Sequence, residues 1–164
     1  MAASDAWRIK LNSNDIKDLH AAVAPFDREG IDVMPLSKED FALPHLAPKL
    51  AELRGDLLYG RGFVLLRGLP VDAFGKRGSA IVFWAIGQHL GDDVLSQNKR
   101  GHVLGHVTNL GQSRSNPSQR GPYSREEIPF HVDCGDMVGL LCMEVSKSGG
   151  ESSLVSSVPF TTKC

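Results

Sequence analysis

The hydrophobic pattern of this chain changes period at Gly60 and Gly62. Before these glycines, apolar side chains recur at helical spacing over residues 13–28 and again over residues 40–59. This spacing predicts two amphipathic helices, the second ended by the glycines. Directly after Gly62, residues 63–66 read FVLL, a short continuous apolar run. Such a run favours a strand buried on both faces over a helix.

Local sequence signals indicate where the helices on either side of this strand begin and end. Ser13 or Asn14 is expected to cap the first helix, and Pro25 should end or bend it because proline has no N–H to donate. Residues 79–90 return to helical spacing and predict a third helix. The amino-terminal half therefore predicts a helix–strand–helix order.

The carboxyl-terminal half is expected to be mainly strands and loops. Residues 103–109 predict one strand, and a long loop rich in Asn, Ser, Gly and Pro follows it. Residues 130–134 and 138–145 predict two further strands, joined by a turn at Gly135 and Asp136. Taken with the helices, this pattern predicts an α+β chain.

Charge, the length of apolar runs and cysteine content argue against several classes of protein. The 164 residues carry 18 lysines and arginines against 19 acidic residues, so the net charge of −1 disfavours nucleic-acid binding. No apolar run approaches the ~20 residues needed to cross a bilayer, and no signal-peptide core is present, so a cytoplasmic location without membrane association is expected. The three cysteines form no CxxC motif and are expected to be reduced thiols.

The strongest candidate site is the His131-Val132-Asp133 motif. In a strand, alternate side chains share a face, so His131 and Asp133 are predicted to point the same way. An imidazole nitrogen and a carboxylate oxygen are two of the three ligands in the facial triad that binds Fe(II) in non-haem oxygenases. Without context, a half-buried histidine beside a surface aspartate is the favoured explanation of the motif.

Several motifs occur in an order and spacing that resemble the taurine/2-oxoglutarate dioxygenase (TauD/TfdA) family. They include IPFHVD at residues 128–133, the apolar segment 138–142 and the turn KSGGES at residues 147–152. Upstream, residues 60–68 and 86–91 fit the same pattern, so the likeness covers roughly residues 7–158. The resemblance implies a double-stranded β-helix, a jelly-roll barrel with helices packed outside, of which residues 1–158 would form the amino-terminal part.

The resemblance also implies an oxidoreductase that depends on Fe(II), 2-oxoglutarate as co-substrate and O2, and that hydroxylates a small organic substrate. His131 and Asp133 would be metal ligands. Ser152 falls where the family places a hydroxyl residue that binds a carboxylate of 2-oxoglutarate. His106 and Asn109, in the region that lines the substrate pocket in the family, are candidate substrate contacts.

The family also needs a distal histidine ligand and an arginine that pairs with 2-oxoglutarate, and both are expected beyond Cys164. Residues 159–164 show no helical pattern and are interpreted as a divergent tail. A chain truncated before the distal half of the barrel should bind iron weakly and turn over poorly or not at all. Its uncovered strands should favour self-association and low solubility.

Competing interpretations stay open at this point. The chain could be a non-catalytic fragment that binds a metal or a partner weakly, or a cupin-like barrel with other chemistry. A metal pair of His102 with His106 is disfavoured because the intervening apolar residues predict a strand rather than a helix. A nucleophilic Cys134 is disfavoured because adjacent strand residues face opposite sides, which separates it from His131.

Overall fold

The computed structural model describes residues 5–94, 103–108, 127–133 and 135–156. These residues fall into two compact units. The first contains residues 5–93 and 139–156, and the second contains residue 94 with the described residues of 103–138. The described elements are three α-helices, two short 3-10 helices and a parallel two-stranded sheet, which makes the chain α+β as predicted.

The helices and strands of the described residues all belong to the first unit. Strand β1 is Arg8–Lys10, helix α1 is Ser13–Val23, helix α2 is Leu46–Tyr59, strand β2 is Leu65–Arg67 and helix α3 is Val71–Leu90. The 3-10 helices are Asp5–Trp7 and Lys38–Asp40. The predicted helix–strand–helix order is confirmed, although several boundaries differ. Within the described residues, no helix is both long and apolar enough to span a membrane.

The N-cap of helix α1 lies one residue before the predicted cap positions. Asn12 is the N-cap: its side-chain oxygen accepts from the backbone N–H groups of Asn14 at 2.8 Å and Asp15 at 3.0 Å. The Asp15 carboxylate returns the bond by accepting from the Asn12 N–H at 2.8 Å, which completes a capping box. The predicted cap at Ser13 or Asn14 is therefore wrong. The helix ends before Pro25, as predicted, because proline has no N–H to donate.

Two buried carboxylates on α1 hold α2 in place. Asp15 is fully buried and accepts two bonds from the Lys49 ammonium, at 2.7 and 2.8 Å. Asp18 accepts from the backbone N–H groups of His45 at 2.6 Å and Leu46 at 3.0 Å, and from His45 Nδ1 at 2.9 Å. Asp18 thus acts as the N-cap of α2 from another helix, where a negative charge also complements the helix dipole. This explains why α2 begins at Leu46 rather than near residue 40.

The apolar core lies between the three helices. Its fully buried side chains come from α1, from the segment before α2, from α2 and from α3, and the largest are Phe41, Leu19, Leu46, Leu50, Ile81 and Val82. The Trp84 indole is also buried and donates to the Leu36 carbonyl at 3.0 Å. Helix α3 is longer than predicted and contains a break at Gly75, whose φ of 63° suits glycine.

The strand predicted at residues 63–66 forms at Leu65–Arg67, where it pairs in parallel with β1. Its predicted burial on both faces is wrong, since Leu65 is 40% exposed. A two-stranded ribbon has no second layer to cover both faces. The register aligns Arg8 with Leu65 and Lys10 with Arg67.

The strands predicted at residues 103–109, 130–134 and 138–145 do not form in the described residues of those segments. Many of their apolar side chains are instead solvent-exposed, for example Val132 at 90%, Leu140 at 81% and Val145 at 88%. A strand requires a neighbour to accept and donate its backbone hydrogen bonds, and apolar alternation alone does not supply one. Self-association through these segments stays a prediction.

Replacing Asp18 with alanine is expected to lower the free energy of unfolding by about 2 kcal/mol near neutral pH, because buried N–H groups at the start of α2 lose their acceptor. Burial by itself raises the pKa of Asp18, but hydrogen bonds from the His45 ring and the backbone of His45 and Leu46 outweigh it and lower the pKa. The stabilisation should be complete above the ordinary pKa of 3.8 and be lost as the pH falls through the lower folded-state pKa.

Urea denaturation of the wild type and Asp18→Ala between pH 6 and pH 2 measures this dependence. The difference between the two proteins should shrink in acid, whereas Asp93→Ala, at an exposed position, should cost less than about 0.5 kcal/mol throughout. A difference for Asp18→Ala that does not change with pH would contradict the capping role of the carboxylate.

Candidate metal centre

His131 and Asp133 lie together in the second unit, in a segment that is not a strand. Their side chains nevertheless converge, with His131 Nε2 3.6 Å from Asp133 Oδ1. The convergence therefore does not depend on the strand alternation from which it was predicted.

The imidazole of His131 has a defined orientation. Its Nδ1 lies 3.0 Å from the carbonyl oxygen of Pro129. Because a carbonyl oxygen can only accept, Nδ1 must carry the hydrogen that is donated. In the neutral ring Nε2 then holds a lone pair, and it is this nitrogen that faces Asp133.

Two electron-pair donors facing each other at this distance can share a cation. The gap of 3.6 Å between His131 Nε2 and Asp133 Oδ1 is too long for a hydrogen bond, so a protonated imidazole would form only a weak ion pair at this exposed position. A divalent metal held at right angles by nitrogen and oxygen ligands at 2.0–2.2 Å requires its two donors to be about 3 Å apart. The pair fits such an ion after a closure of about half an ångström.

The pair is accessible to solvent, but among the described residues it is incomplete as a metal site. The side chains of His131 and Asp133 are 55% and 58% exposed, so a hydrated cation can reach both. Among the described residues, however, no third His, Cys, Asp or Glu joins them to form a group that could hold a metal. Within that part of the chain, the arrangement therefore offers two protein ligands and leaves the remaining coordination positions open.

Ser152, His106 and Asn109 are the other predicted site residues. Ser152 is exposed in the first unit, and His106 is exposed in the second. Asn109 and Cys134 lie outside the described residues. The structure thus brings together the two predicted metal ligands and leaves the roles of Ser152, His106 and Asn109 as predictions.

A separate apolar depression of about 480 Å³ lies in the first unit, beside the start of α2 and the end of α3. Its lining includes Lys38, Phe41, Leu43, Pro44, Pro48 and His89. The Nε2–H of His89 donates to the Phe41 carbonyl at 2.9 Å, so this histidine holds the core segment before α2. The depression therefore has a structural histidine and no acidic lining residue.

Sequence reasoning missed the groups that act through buried or backbone hydrogen bonds. The spacing of Asn12 and Asp15 is a capping-box signal and could have identified the first buried carboxylate. Nothing comparable marks Asp18, whose partners are 27 and 28 residues away in sequence. The Pro129 carbonyl carries no side-chain signal at all.

A histidine and an aspartate two residues apart that converge are two of the three ligands of the facial triad in non-haem Fe(II) oxygenases. The sequence profile described as "Taurine catabolism dioxygenase TauD, TfdA family" matches residues 22–159. The chain belongs to this family of dioxygenases.

Curated relatives support the same family. The taurine hydroxylase-like protein SAT17 of Stachybotrys chartarum is 31% identical over 153 residues, which cover 90% of this chain and 40% of that protein. The FR-33289 synthase of Streptomyces rubellomurinus is 28% identical over 153 residues, which cover 93% of this chain and 45% of that protein. The chain thus spans less than half the length of these relatives.

Proposed function

We propose that this chain supplies the His131 and Asp133 ligands of an Fe(II)- and 2-oxoglutarate-dependent dioxygenase. The observation that carries the proposal is the 3.6 Å approach of His131 Nε2 to Asp133 Oδ1, with the ring turned so that its lone pair faces the carboxylate. Membership of the dioxygenase family supports the type of chemistry. In this proposal residues 1–158 are the amino-terminal part of a jelly-roll domain, and residues 159–164 are a divergent tail.

The two side chains would have different tasks. His131 would bind the metal through a neutral nitrogen donor, and Asp133 would supply negative charge that favours a divalent ion. When bound, Fe(II) with 2-oxoglutarate and O2 supplies the oxidising power for C–H hydroxylation, while 2-oxoglutarate is converted to succinate and CO2. The two protein donors would fix the position of the metal and leave adjacent coordination positions for small molecules.

Ser152 is proposed to donate its hydroxyl hydrogen to a carboxylate of 2-oxoglutarate. A third metal ligand and a cationic partner for the co-substrate would come from outside the described residues. His106 and Asn109 remain proposed substrate contacts. The name of the Stachybotrys relative refers to a hydroxylase, which supports hydroxylation of a small organic molecule as the reaction type here.

A second candidate function is non-catalytic binding of a metal or a partner. It is favoured by the absence of a third metal ligand among the described residues and by the exposed apolar side chains of residues 138–155. In that case the histidine and aspartate would bind a cation weakly without supporting turnover.

Succinate formation discriminates the two candidates. The chain is incubated with Fe(II), ascorbate, O2 and 2-oxoglutarate, and succinate is compared with that formed by Fe(II) in buffer alone. Low dioxygenase activity is expected from this chain, and any succinate above the background should disappear in His131→Ala because a metal ligand is lost. Succinate at background in the wild type would favour the non-catalytic role.

A further inference from the structure

The contact between His131 and Pro129 determines which ring nitrogen is available to a ligand. The distance from Nδ1 to the Pro129 carbonyl oxygen is 3.0 Å, well within hydrogen-bond range. The acceptor is a backbone oxygen, so it cannot lose its role when the pH changes, and it requires the hydrogen to be on Nδ1. The opposite nitrogen, Nε2, is thereby left as an electron-pair donor.

We propose that the Pro129 carbonyl is a positioning group that selects the Nδ1–H tautomer of His131 and so presents the Nε2 lone pair for metal binding. This inference rests on the proposed function, because the selection matters only if His131 binds a metal. A neutral histidine in water prefers the opposite tautomer, with the hydrogen on Nε2. That form would aim an N–H at Asp133 and would have to lose this hydrogen before Nε2 could bind a metal.

The position of Asp133 strengthens the case for selection by the carbonyl. A carboxylate close to a neutral imidazole would normally accept a hydrogen from the nearer nitrogen, which here is Nε2. At 3.6 Å from Nε2, the Asp133 oxygen lies beyond hydrogen-bond distance, whereas the Pro129 oxygen lies within it. The geometry therefore places the hydrogen on the side away from the carboxylate. Both donors of the pair are then free to bind the same cation.

Proline suits the position of the acceptor. Its ring fixes φ near −65°, and it also restricts the preceding residue, Ile128, to extended conformations. Both effects restrict the conformations of the segment that carries the acceptor, which lies beside a His131 ring that is 55% exposed. Metal-binding histidines commonly donate their second ring N–H to a carbonyl or carboxylate, and loss of such a partner lowers metal affinity by about 10- to 100-fold.

The test is a long-range ¹H–¹⁵N correlation spectrum of the metal-free chain labelled with ¹⁵N-histidine, recorded at a pH where the rings are neutral. The chain has six histidines, and the His131 signals are assigned by their loss in His131→Gln. We expect His131 in the wild type to be mainly the Nδ1–H tautomer. In Pro129→Gly the tautomer ratio should move by about two- to tenfold toward Nε2–H, the range expected for weakening one exposed hydrogen bond.

Fe(II) affinity is measured on the same proteins by anaerobic titration. Pro129→Gly should bind Fe(II) about tenfold more weakly than the wild type. The matched control is Pro35→Gly, which removes an exposed turn proline in the first unit and should change neither the tautomer nor the affinity.

Each outcome bears on one of the two proposals. A wild-type His131 that is mainly Nε2–H overturns the inference whatever its metal affinity, and only the assignment of the signals uses a variant, His131→Gln. An unchanged tautomer ratio in folded Pro129→Gly overturns the restraint by proline, whereas the wild-type ratio decides the role of the carbonyl. The proposed function fails separately, if His131→Gln binds Fe(II) as tightly as the wild type while the tautomer result stands.

Discussion

Replacing Asp133 with alanine is expected to weaken Fe(II) binding by at least about a hundredfold. The substitution removes both the oxygen donor and the negative charge that face His131 Nε2 at 3.6 Å. Loss of a hydrogen-bonding partner behind a metal ligand already costs up to about a hundredfold in affinity, so loss of a ligand itself should cost no less. Anaerobic calorimetric titration with Fe(II) measures the change directly.

Asp136→Ala provides the matched control for this prediction. Asp136 is an exposed carboxylate three residues further along the chain and in the same unit, so its removal changes the net charge by the same amount. Charges on an exposed surface interact weakly and are screened by salt, so the affinity should change by less than about threefold. Equal losses in Asp133→Ala and Asp136→Ala would mean that Fe(II) is attracted by general charge rather than bound by the pair.

Replacing Phe41 with alanine is expected to destabilise the chain by about 3–5 kcal/mol, the range for removal of a buried aromatic side chain. Phe41 is fully buried, and its ring meets the Phe26 ring edge to face with the centroids 5.4 Å apart. The backbone carbonyl of the same residue accepts the His89 hydrogen bond, so a cavity here also disturbs the contact between α3 and the segment before α2.

Urea denaturation followed by tryptophan fluorescence measures this loss, since Trp84 is buried in the same unit. Tyr59→Ala is the control, because that aromatic side chain is 85% exposed and its removal should cost less than about 0.5 kcal/mol. Similar free energies of unfolding for Phe41→Ala and Tyr59→Ala would contradict the placement of the core between the helices.

The helical half of the fold could be predicted from the sequence because its signals are local. Apolar spacing identified the three helices of the described residues, and Gly60 marked the end of α2. The start of α2 could not be read in this way, because it is set by the Asp18 carboxylate, which lies 28 residues from Leu46 in sequence. A cap supplied by another helix depends on tertiary packing.

The strands predicted in the carboxyl-terminal half are not present in the described residues, for a related reason. Apolar alternation at residues 138–145 specifies a face to be buried, but strand formation also needs a hydrogen-bonded neighbour, and none is present in the described residues. At the candidate site, the approach of His131 to Asp133 was predicted from strand geometry and is present without a strand. The donation from His131 Nδ1 to a backbone carbonyl could not be predicted from residue types.

The most direct test of the account is the iron K-edge X-ray absorption spectrum of the chain loaded anaerobically with Fe(II), compared with that of His131→Ala prepared in the same way. If His131 and Asp133 bind the metal, the wild-type spectrum should contain the outer-shell scattering of one imidazole ring and a nitrogen or oxygen first shell at about 2.0–2.2 Å. The imidazole contribution should be absent in the variant. Identical spectra for the two proteins would contradict the assignment of His131 as a metal ligand.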